Sequence, residues 1–280
     1  MWDIKDKICL ITGATSGIGK ETALAITSMG ALVAITYRNE QKAEETKNYI
    51  YKKTGKTIEP YFCDFSSFDS IRNFTKNFLQ NHDKLHVLIN NAGIFETKFL
   101  TTTDGIETNF AINHLAPFLL TNLLTDTIIK SSPARIINVA SEAHKGAKMN
   151  FEDLEMKNKF SGFAAYGQSK LANILFTKQL AIKLENTGIT VNCLHPGIVR
   201  TNIFSKMSKL SIALFRLIMI SPIKGAETPV YLACSDLISN FNGEYFKNKK
   251  INKPDPAAEN RETAEKLWEI SMDYIKSKNK

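Results

Sequence analysis

Two groups of residues in this 280-residue chain have the types and the spacing to do chemistry. The first is Tyr166 and Lys170, in the run YGQSK. The two are four apart in a segment with helical periodicity, so they share one helix face. A free phenol has a pKa of about 10 and is a poor base at neutral pH, but a neighbouring ammonium favours the phenolate. Such a pair can pass one proton as general acid or general base. Alone, a Tyr and a Lys at this spacing are more often plain helix surface. The second group is TGATSGIGK, Thr12–Lys20, directly after the apolar run Ile8–Ile11. Gly13 lets the chain leave a strand sharply, while Gly17 and Gly19 remove side chains where backbone approaches a ligand and a helix packs on a sheet. Main-chain N–H groups at a helix start then favour a pyrophosphate. The alternative is a tight strand-to-helix turn that binds nothing.

The elements that must position these residues are legible as short apolar runs alternating with longer amphipathic ones. Strands are expected over Lys7–Thr12, Leu32–Tyr37, Thr57–Cys63, Val87–Asn90, Arg135–Ala140, Thr190–Leu194 and Glu244–Phe246. Helices are expected over Ile18–Met29, Glu40–Lys53, Ser67–Asn81, Gly105–Lys130, Ala164–Asn186, Pro222–Leu232 and Ala257–Tyr274. The strands are near-continuous apolar runs, as in a parallel sheet covered on both faces. Right-handed crossovers then give an α/β, doubly wound sheet of about seven strands. No repeat or linker divides the chain, so a single domain over residues 1–280 is expected. Within it, the stretch KLSIALFRLIMISP is apolar over about a dozen residues, which makes 202–221 a candidate lid.

Composition excludes several classes. The chain is 43% hydrophobic and 23% charged, an ordinary globular balance. Its net charge of +8 comes from scattered lysines accompanied by Glu and Asn, which reads as a solvated surface rather than a nucleic-acid stripe. Cys9, Cys63, Cys193 and Cys234 form no CxxC pair, so buried reduced thiols are expected. His82, His86, His114, His144 and His195 make no HExxH pattern, no GxSxG elbow is present, and no metal is expected. Charged residues interrupt the N-terminus and no run reaches about 18 apolar residues. A cytoplasmic protein is therefore expected, with peripheral membrane contact through the lid as a second reading.

The glycine spacing GxxxGxG resembles that of the short-chain dehydrogenase/reductase family. The resemblance continues through NNAG at Asn90–Gly93, YGQSK with its YxxxK pair, and HPGIVRT at His195–Thr201. It runs from about Lys7 to the C-terminus. Within the family, the runs NHLAPFLLT, RIINVASEAH, YGQSKLANILFTKQLA and TAEKLWEIS are most similar to the retinol dehydrogenase-like group, as is the 25-residue gap between Ser141 and Tyr166. Members of that group often carry an N-terminal membrane anchor, which this sequence does not show.

The resemblance implies a Rossmann-type fold and a nicotinamide cofactor. The cofactor would meet Gly13, Thr15, Ser16, Gly17, Ile18 and Gly19 at its phosphates, and Asp64 with Phe65 at its adenine. Asn91, Ala92 and Gly93 would lie beside the adenosine ribose, and Tyr166, Lys170, Pro196, Gly197, Val199 and Thr201 at the nicotinamide end. At the end of the second strand an acidic residue would select NAD(H). Here that place is Tyr37, followed by Arg38, whose guanidinium can fork a 2′-phosphate, so NADP(H) is expected over NAD(H). The implied catalytic set is Asn113, Ser141, Tyr166 and Lys170. Ser141 would hydrogen-bond the substrate oxygen, Tyr166 would handle the proton, Lys170 would hold the nicotinamide ribose, and Asn113 would hold a relay water. The expected substrate is a small hydrophobic carbonyl compound or alcohol, a class that includes retinoid-like molecules. The long helices at Gly105–Lys130 and Ala164–Asn186 resemble those of family homodimers. A catalytically silent NADP(H)-binding scaffold or sensor is the alternative.

Overall fold

A computed structural model describes residues 2–199 and 219–277. They build an eight-stranded sheet in the order β3-β2-β1-β4-β5-β6-β7-β8. The strands are β1 (Ile8–Ile11), β2 (Leu32–Tyr37), β3 (Glu59–Phe62), β4 (Val87–Asn90), β5 (Ala134–Val139), β6 (Ile189–His195), β7 (Tyr245–Lys247) and β8 (Lys250–Ile251). β1 to β7 pair in parallel, and β8 returns antiparallel to β7. The helices are α1 (Gly17–Ser28), α2 (Glu40–Thr54), α3 (Phe68–Asn81), α4 (Thr108–Phe110), α5 (Ala116–Lys130), α6 (Gly162–Lys183), α7 (Pro222–Cys234) and α8 (Arg261–Ser277). The chain moves outward from β1 to β3, then crosses back to place β4 on the other side of β1. This reversal opens a crevice at the C-terminal ends of β1 and β4, where parallel sheets bind ligands.

Burial on both faces explains the unbroken apolar runs. Leu10, Leu88 and Ile136 pack on one side of the sheet, with residues of α3, α5, α6 and α8. Cys9, Ile11, Val87, Ile89 and Ile137 pack on the other, with residues of α1, α2 and α7. Cys9, Cys63 and Cys193 are buried, and all four cysteines are free.

Three elements differ from the sequence expectation. The eighth strand is too short to show a pattern; it folds back through Asn248 and Lys249, both at positive φ (52° and 62°), as a tight hairpin requires. The helix expected over Gly105–Lys130 is broken. Glu107 caps the single turn α4, a wide π turn follows at Ala111–Leu115, and α5 then carries Pro117 in its first turn. Pro117 has no N–H to give the carbonyl four residues back, that of Asn113, so the regular ladder cannot run through this point. The expected C-terminal helix is likewise two pieces, a 3-10 turn at Pro256–Glu259 and then α8, whose first turn is capped by Asn260 Oδ1 accepting from the Thr263 N–H at 2.7 Å.

Candidate active site

The strand ends set the floor of the site. Thr12, at the end of β1, accepts the main-chain N–H groups of Asn91 and Ala92 on its Oγ1, both at 2.9 Å. Asn91 Nδ2 donates back to the Thr12 carbonyl at 2.8 Å and the Gly13 carbonyl at 3.2 Å. The glycine turn and the NNAG turn are thus stitched edge to edge. A Cβ on Gly13 would lie 2.9 Å from Ala92 Cα, so glycine is required there by approach as well as by its φ of 63°. The Gly13 N–H donates to Thr36 Oγ1 at 3.1 Å, which draws the end of β2 to the same turn.

The start of α1 differs from those of the long helices that begin from a loop, α5 being uncapped because it runs on from the π turn. Asn39, Ser67, Ser161 and Ser221 cap α2, α3, α6 and α7 with their side chains, whereas Ser16 makes no capping bond to α1. The first-turn N–H groups of α1 also meet no acidic side chain of that turn. An uncapped helix start beside a glycine cradle fits an anionic phosphate. Thr15 and Ser16 form the wall of this turn, with the Thr15 carbonyl accepting from Thr46 Oγ1 of α2 at 3.4 Å.

The four residues of the implied catalytic set converge beyond β4 and β5. Lys170 Nζ donates to the Val139 carbonyl at 3.0 Å, and lies 5.6 Å from the centre of the Tyr166 ring. A Cβ on Gly93 would sit 3.1 Å from Asn113 Oδ1 and 3.4 Å from Lys170 Nζ. Asn113 is fully buried and its side chain is committed. Oδ1 accepts from the Ile94 N–H at 2.8 Å, and Nδ2 donates to the Ile94 carbonyl and to Ser169 Oγ, each at 3.0 Å. Ser169 Oγ in turn donates to the Tyr166 carbonyl at 2.8 Å. Asn113 therefore braces the NNAG turn against α6 with its side chain. Ser141 stands just past β5, where its Oγ accepts the Ala143 N–H at 3.2 Å and caps a 3-10 turn at Glu142–His144.

Burial dominates the electrostatics. It pushes the Tyr166 phenol up to about 12, with a hydrogen bond to Ser141 acting the other way. It pulls the Lys170 ammonium down to about 8. The phenol is thus a proton donor at neutral pH rather than a ready base. The shift runs opposite to the one that an ammonium neighbour alone predicts, because desolvation of the phenolate outweighs the Ser141 hydrogen bond. Beneath the site, Asn90 Nδ2 donates to Thr121 Oγ1 at 3.0 Å and to Asn138 Oδ1 at 2.8 Å, and Asn138 Nδ2 donates to Thr177 Oγ1 at 2.9 Å. This buried chain ties α5, β4, β5 and α6 together.

The remaining sequence candidates spread along the same edge of the sheet. Arg38 is exposed just past β2 and pairs with no carboxylate among the described residues. Asp64 follows β3, and its Oδ1 accepts from the Ser66 N–H at 2.9 Å and Ser66 Oγ at 2.8 Å. Ser67, not Ser66, caps α3. Phe65 is buried in the core. Pro196 and Gly197 follow β6, and Val199 packs under α7, where a Cβ on Gly225 would lie 2.6 Å from Val199 Cγ2 and 3.1 Å from Ile18. That contact sets the PG turn against the glycine turn. Thr201 and residues 202–218 of the expected lid lie outside the described residues.

Several neighbours of the site were not singled out from sequence. Phe95 packs between Phe163 (ring centres 5.0 Å apart) and Tyr166 (5.2 Å), and Phe163 is 64% exposed. Gly162 permits this, since a Cβ there would lie 2.7 Å from the Glu96 carbonyl oxygen. Glu142 is held by Lys145 and Lys247, each at 2.8 Å, with His195 at 3.8 Å. Burial would raise its pKa, but these cations together hold it down to about 2. The signal for Phe95 was its place two residues after NNAG; the Glu142 cluster joins three distant segments and left none.

The profile of the short chain dehydrogenase family matches residues 7–210. The chain belongs to the short-chain dehydrogenase family. Among curated relatives of this dehydrogenase, mouse "Retinol dehydrogenase 14" is 40% identical over 282 residues, covering 95% of this chain and 84% of the relative. Human "Retinol dehydrogenase 13" is 38% identical, covering 97% and 85%. Among solved structures, an uncharacterised protein from Mycobacterium paratuberculosis superimposes with a TM-score of 0.80 at 28% identity, covering 98% of this chain and 95% of that one. RhlG of Pseudomonas aeruginosa, solved as an NADP complex, shares the fold with a TM-score of 0.73 at 23% identity, covering 87% and 95%. Among the described residues, no helix is long and apolar enough to cross a membrane, and no group of three or more His, Cys, Asp or Glu is arranged to hold a metal.

Proposed function

We propose that this short-chain dehydrogenase is an NADP(H)-dependent oxidoreductase that interconverts a hydrophobic aldehyde or ketone and its alcohol. The observation that carries the reading is the convergence of Ser141, Tyr166, Lys170 and Asn113 next to the crevice at β1 and β4. The uncapped start of α1 and the glycine cradle fit a dinucleotide, whose nicotinamide supplies the hydride. Arg38, exposed and paired with no carboxylate among the described residues, supports a 2′-phosphate at the adenosine ribose. Asp64 and the turn at Asn91–Gly93 stand along the path from that ribose toward Tyr166.

The residues divide the remaining work. The Ser141 hydroxyl hydrogen-bonds the substrate oxygen and steadies charge that develops there. Tyr166, protonated at neutral pH, gives its phenolic proton to that oxygen in reduction. Lys170, fixed by the Val139 carbonyl, holds the nicotinamide ribose hydroxyls. The side chain of Asn113 is committed to Ile94 and Ser169, so its relay role passes to its main-chain carbonyl, which Pro117 relieves of its usual partner. The exposed Phe163 beside Phe95 supports an apolar substrate, and the kinship with retinol dehydrogenases makes retinal and retinol first choices to test. We propose further that the chain works as one domain, as a cytoplasmic homodimer, with residues 202–221 as an apolar lid for the substrate.

The test is NADPH consumption, then NADH consumption, by purified protein across aldehydes and ketones from short polar to long apolar and retinoid. Tyr166→Phe is the paired control. Turnover of apolar carbonyls with NADPH, lost in the variant, is the expected result. Tight NADPH binding without turnover of any carbonyl would instead establish the scaffold reading.

A further inference from the structure

Ser141 is gripped through its main chain. His144 Nδ1 lies 2.6 Å from the Ser141 carbonyl oxygen, and the same carbonyl accepts the His144 N–H at 3.2 Å. On the far side of the ring, the main-chain N–H of Asp255 donates to Nε2 at 3.0 Å. A main-chain N–H can only donate, so Nε2 is the acceptor and the imidazole proton sits on Nδ1, from which it is donated to Ser141. The ring is fully buried and meets Tyr245 edge-on at 5.1 Å, so no water competes for either nitrogen. Asp255 is itself fixed: its Oδ2 accepts the Gly146 N–H at 2.9 Å and its Oδ1 the Ala257 N–H at 3.0 Å.

The turn held in this way also touches α6. A Cβ on Gly167, the residue after Tyr166, would lie 2.8 Å from the Ala143 carbonyl oxygen. The backbone bearing Tyr166 therefore rests directly on the turn bearing Ser141. Whatever sets the position of that turn sets the separation of the two hydroxyls.

We infer that His144 is a positioning residue for Ser141, with Asp255 selecting the tautomer in which its Nδ1–H binds the Ser141 carbonyl. The inference rests on the reading of Ser141 in the proposed function. His195 provides a contrast on the next residue. Its Nδ1 accepts the Glu142 N–H at 3.2 Å, so it carries its proton on Nε2, and it secures the turn without touching Ser141.

Two substitutions separate the two ends of the ring. His144→Asn keeps an N–H near the place of Nδ1. His144→Gln keeps an acceptor near the place of Nε2 and loses the donor to Ser141. In full-length protein, with decanal and NADPH, His144→Asn is expected to keep kcat within about threefold of wild type. His144→Gln is expected to lose roughly tenfold or more in kcat, the scale of a small misplacement of a reacting group. KM, the NADPH dissociation constant and Tm should agree between the two variants. Equal kcat in both variants, whether intact or lost, overturns the inference. Nitrogen-15 NMR of histidine-labelled protein provides a readout without turnover. A pyrrole-type Nδ1 with a pyridine-type Nε2 at His144 supports the grip, and the reverse pattern overturns it. Wild-type protein that shows the Nδ1–H form yet reduces no carbonyl sinks the proposed function and upholds the grip.

Discussion

Gly19 and Asn91 meet so closely that a Cβ on Gly19 would fall 2.5 Å from Asn91 Nδ2. The same methyl group would lie 2.7 Å from the Gly13 carbonyl oxygen and 2.9 Å from Ala14 Cα, and main chain cannot rotate away as a side chain can. Gly19→Ala is expected to destabilise the protein by about 1–3 kcal/mol through overpacking. It should also weaken NADPH binding, because it parts the glycine turn from NNAG. Thermal denaturation and a fluorescence titration with NADPH check both effects; an unchanged Tm would contradict the close packing.

Arg38 offers a charge that no protein carboxylate claims among the described residues. A charge-assisted hydrogen bond contributes roughly 1.5–3 kcal/mol, so Arg38→Ala should raise KM for NADPH by about tenfold to a hundredfold. KM for NADH should move little. Steady-state kinetics with both cofactors decide the point, and a parallel rise for both would remove the 2′-phosphate argument.

The rate of carbonyl reduction should depend on pH through Lys170. Its ammonium is charged below about pH 8 and loses its proton above it, while Tyr166 stays protonated up to about 12. Reduction is therefore expected to be level below pH 8 and to fall above it. A pH profile of kcat/KM that climbs through pH 8 would exclude charged Lys170 as the working form.

Folding stability should fall in mild acid because of two buried histidines. Burial holds His195 down to about 4 and His114 down to about 3, both below the ordinary value of about 6.5. Between those values the unfolded chain binds protons that the folded chain refuses, so stability is full above about pH 6.5 and is lost as pH falls toward 4. His195 alone accounts for roughly 3 kcal/mol, with burial the main cause and the Glu142 carboxylate opposing it. Urea denaturation at pH 7, 5.5 and 4.5 measures the loss, and His195→Gln should flatten it.

Much of this architecture was legible in the chain itself. The strands from β1 to β6 announce themselves because both of their faces are buried, and each strand end carries the short motif that it delivers to the crevice. The break in the helix before α5 was also written in the sequence, as Pro117 four residues after Asn113, but long apolar periodicity on either side masked it. The contacts of Glu142 and His144 could not be read, because Lys247, His195 and Asp255 are far away in sequence and only the assembled sheet brings them to the turn after Ser141. The direction of the Tyr166 shift is hidden in the sequence for a related reason: the spacing to Lys170 reveals a charge, whereas burial depends on everything packed around the phenol.

The buried links from Thr121 through Asn90 and Asn138 to Thr177 have a consequence for how such a protein can change over generations. Each member is dry, and each is committed to its neighbour, so altering one strands the next without a partner. Inheritance must then keep these residues together or replace them together. Phe163, beside Phe95 and 64% exposed, carries no such obligation. Single substitutions are thus open to Phe163, whereas the links that tie α5 to α6 through β4 and β5 can change only in concert.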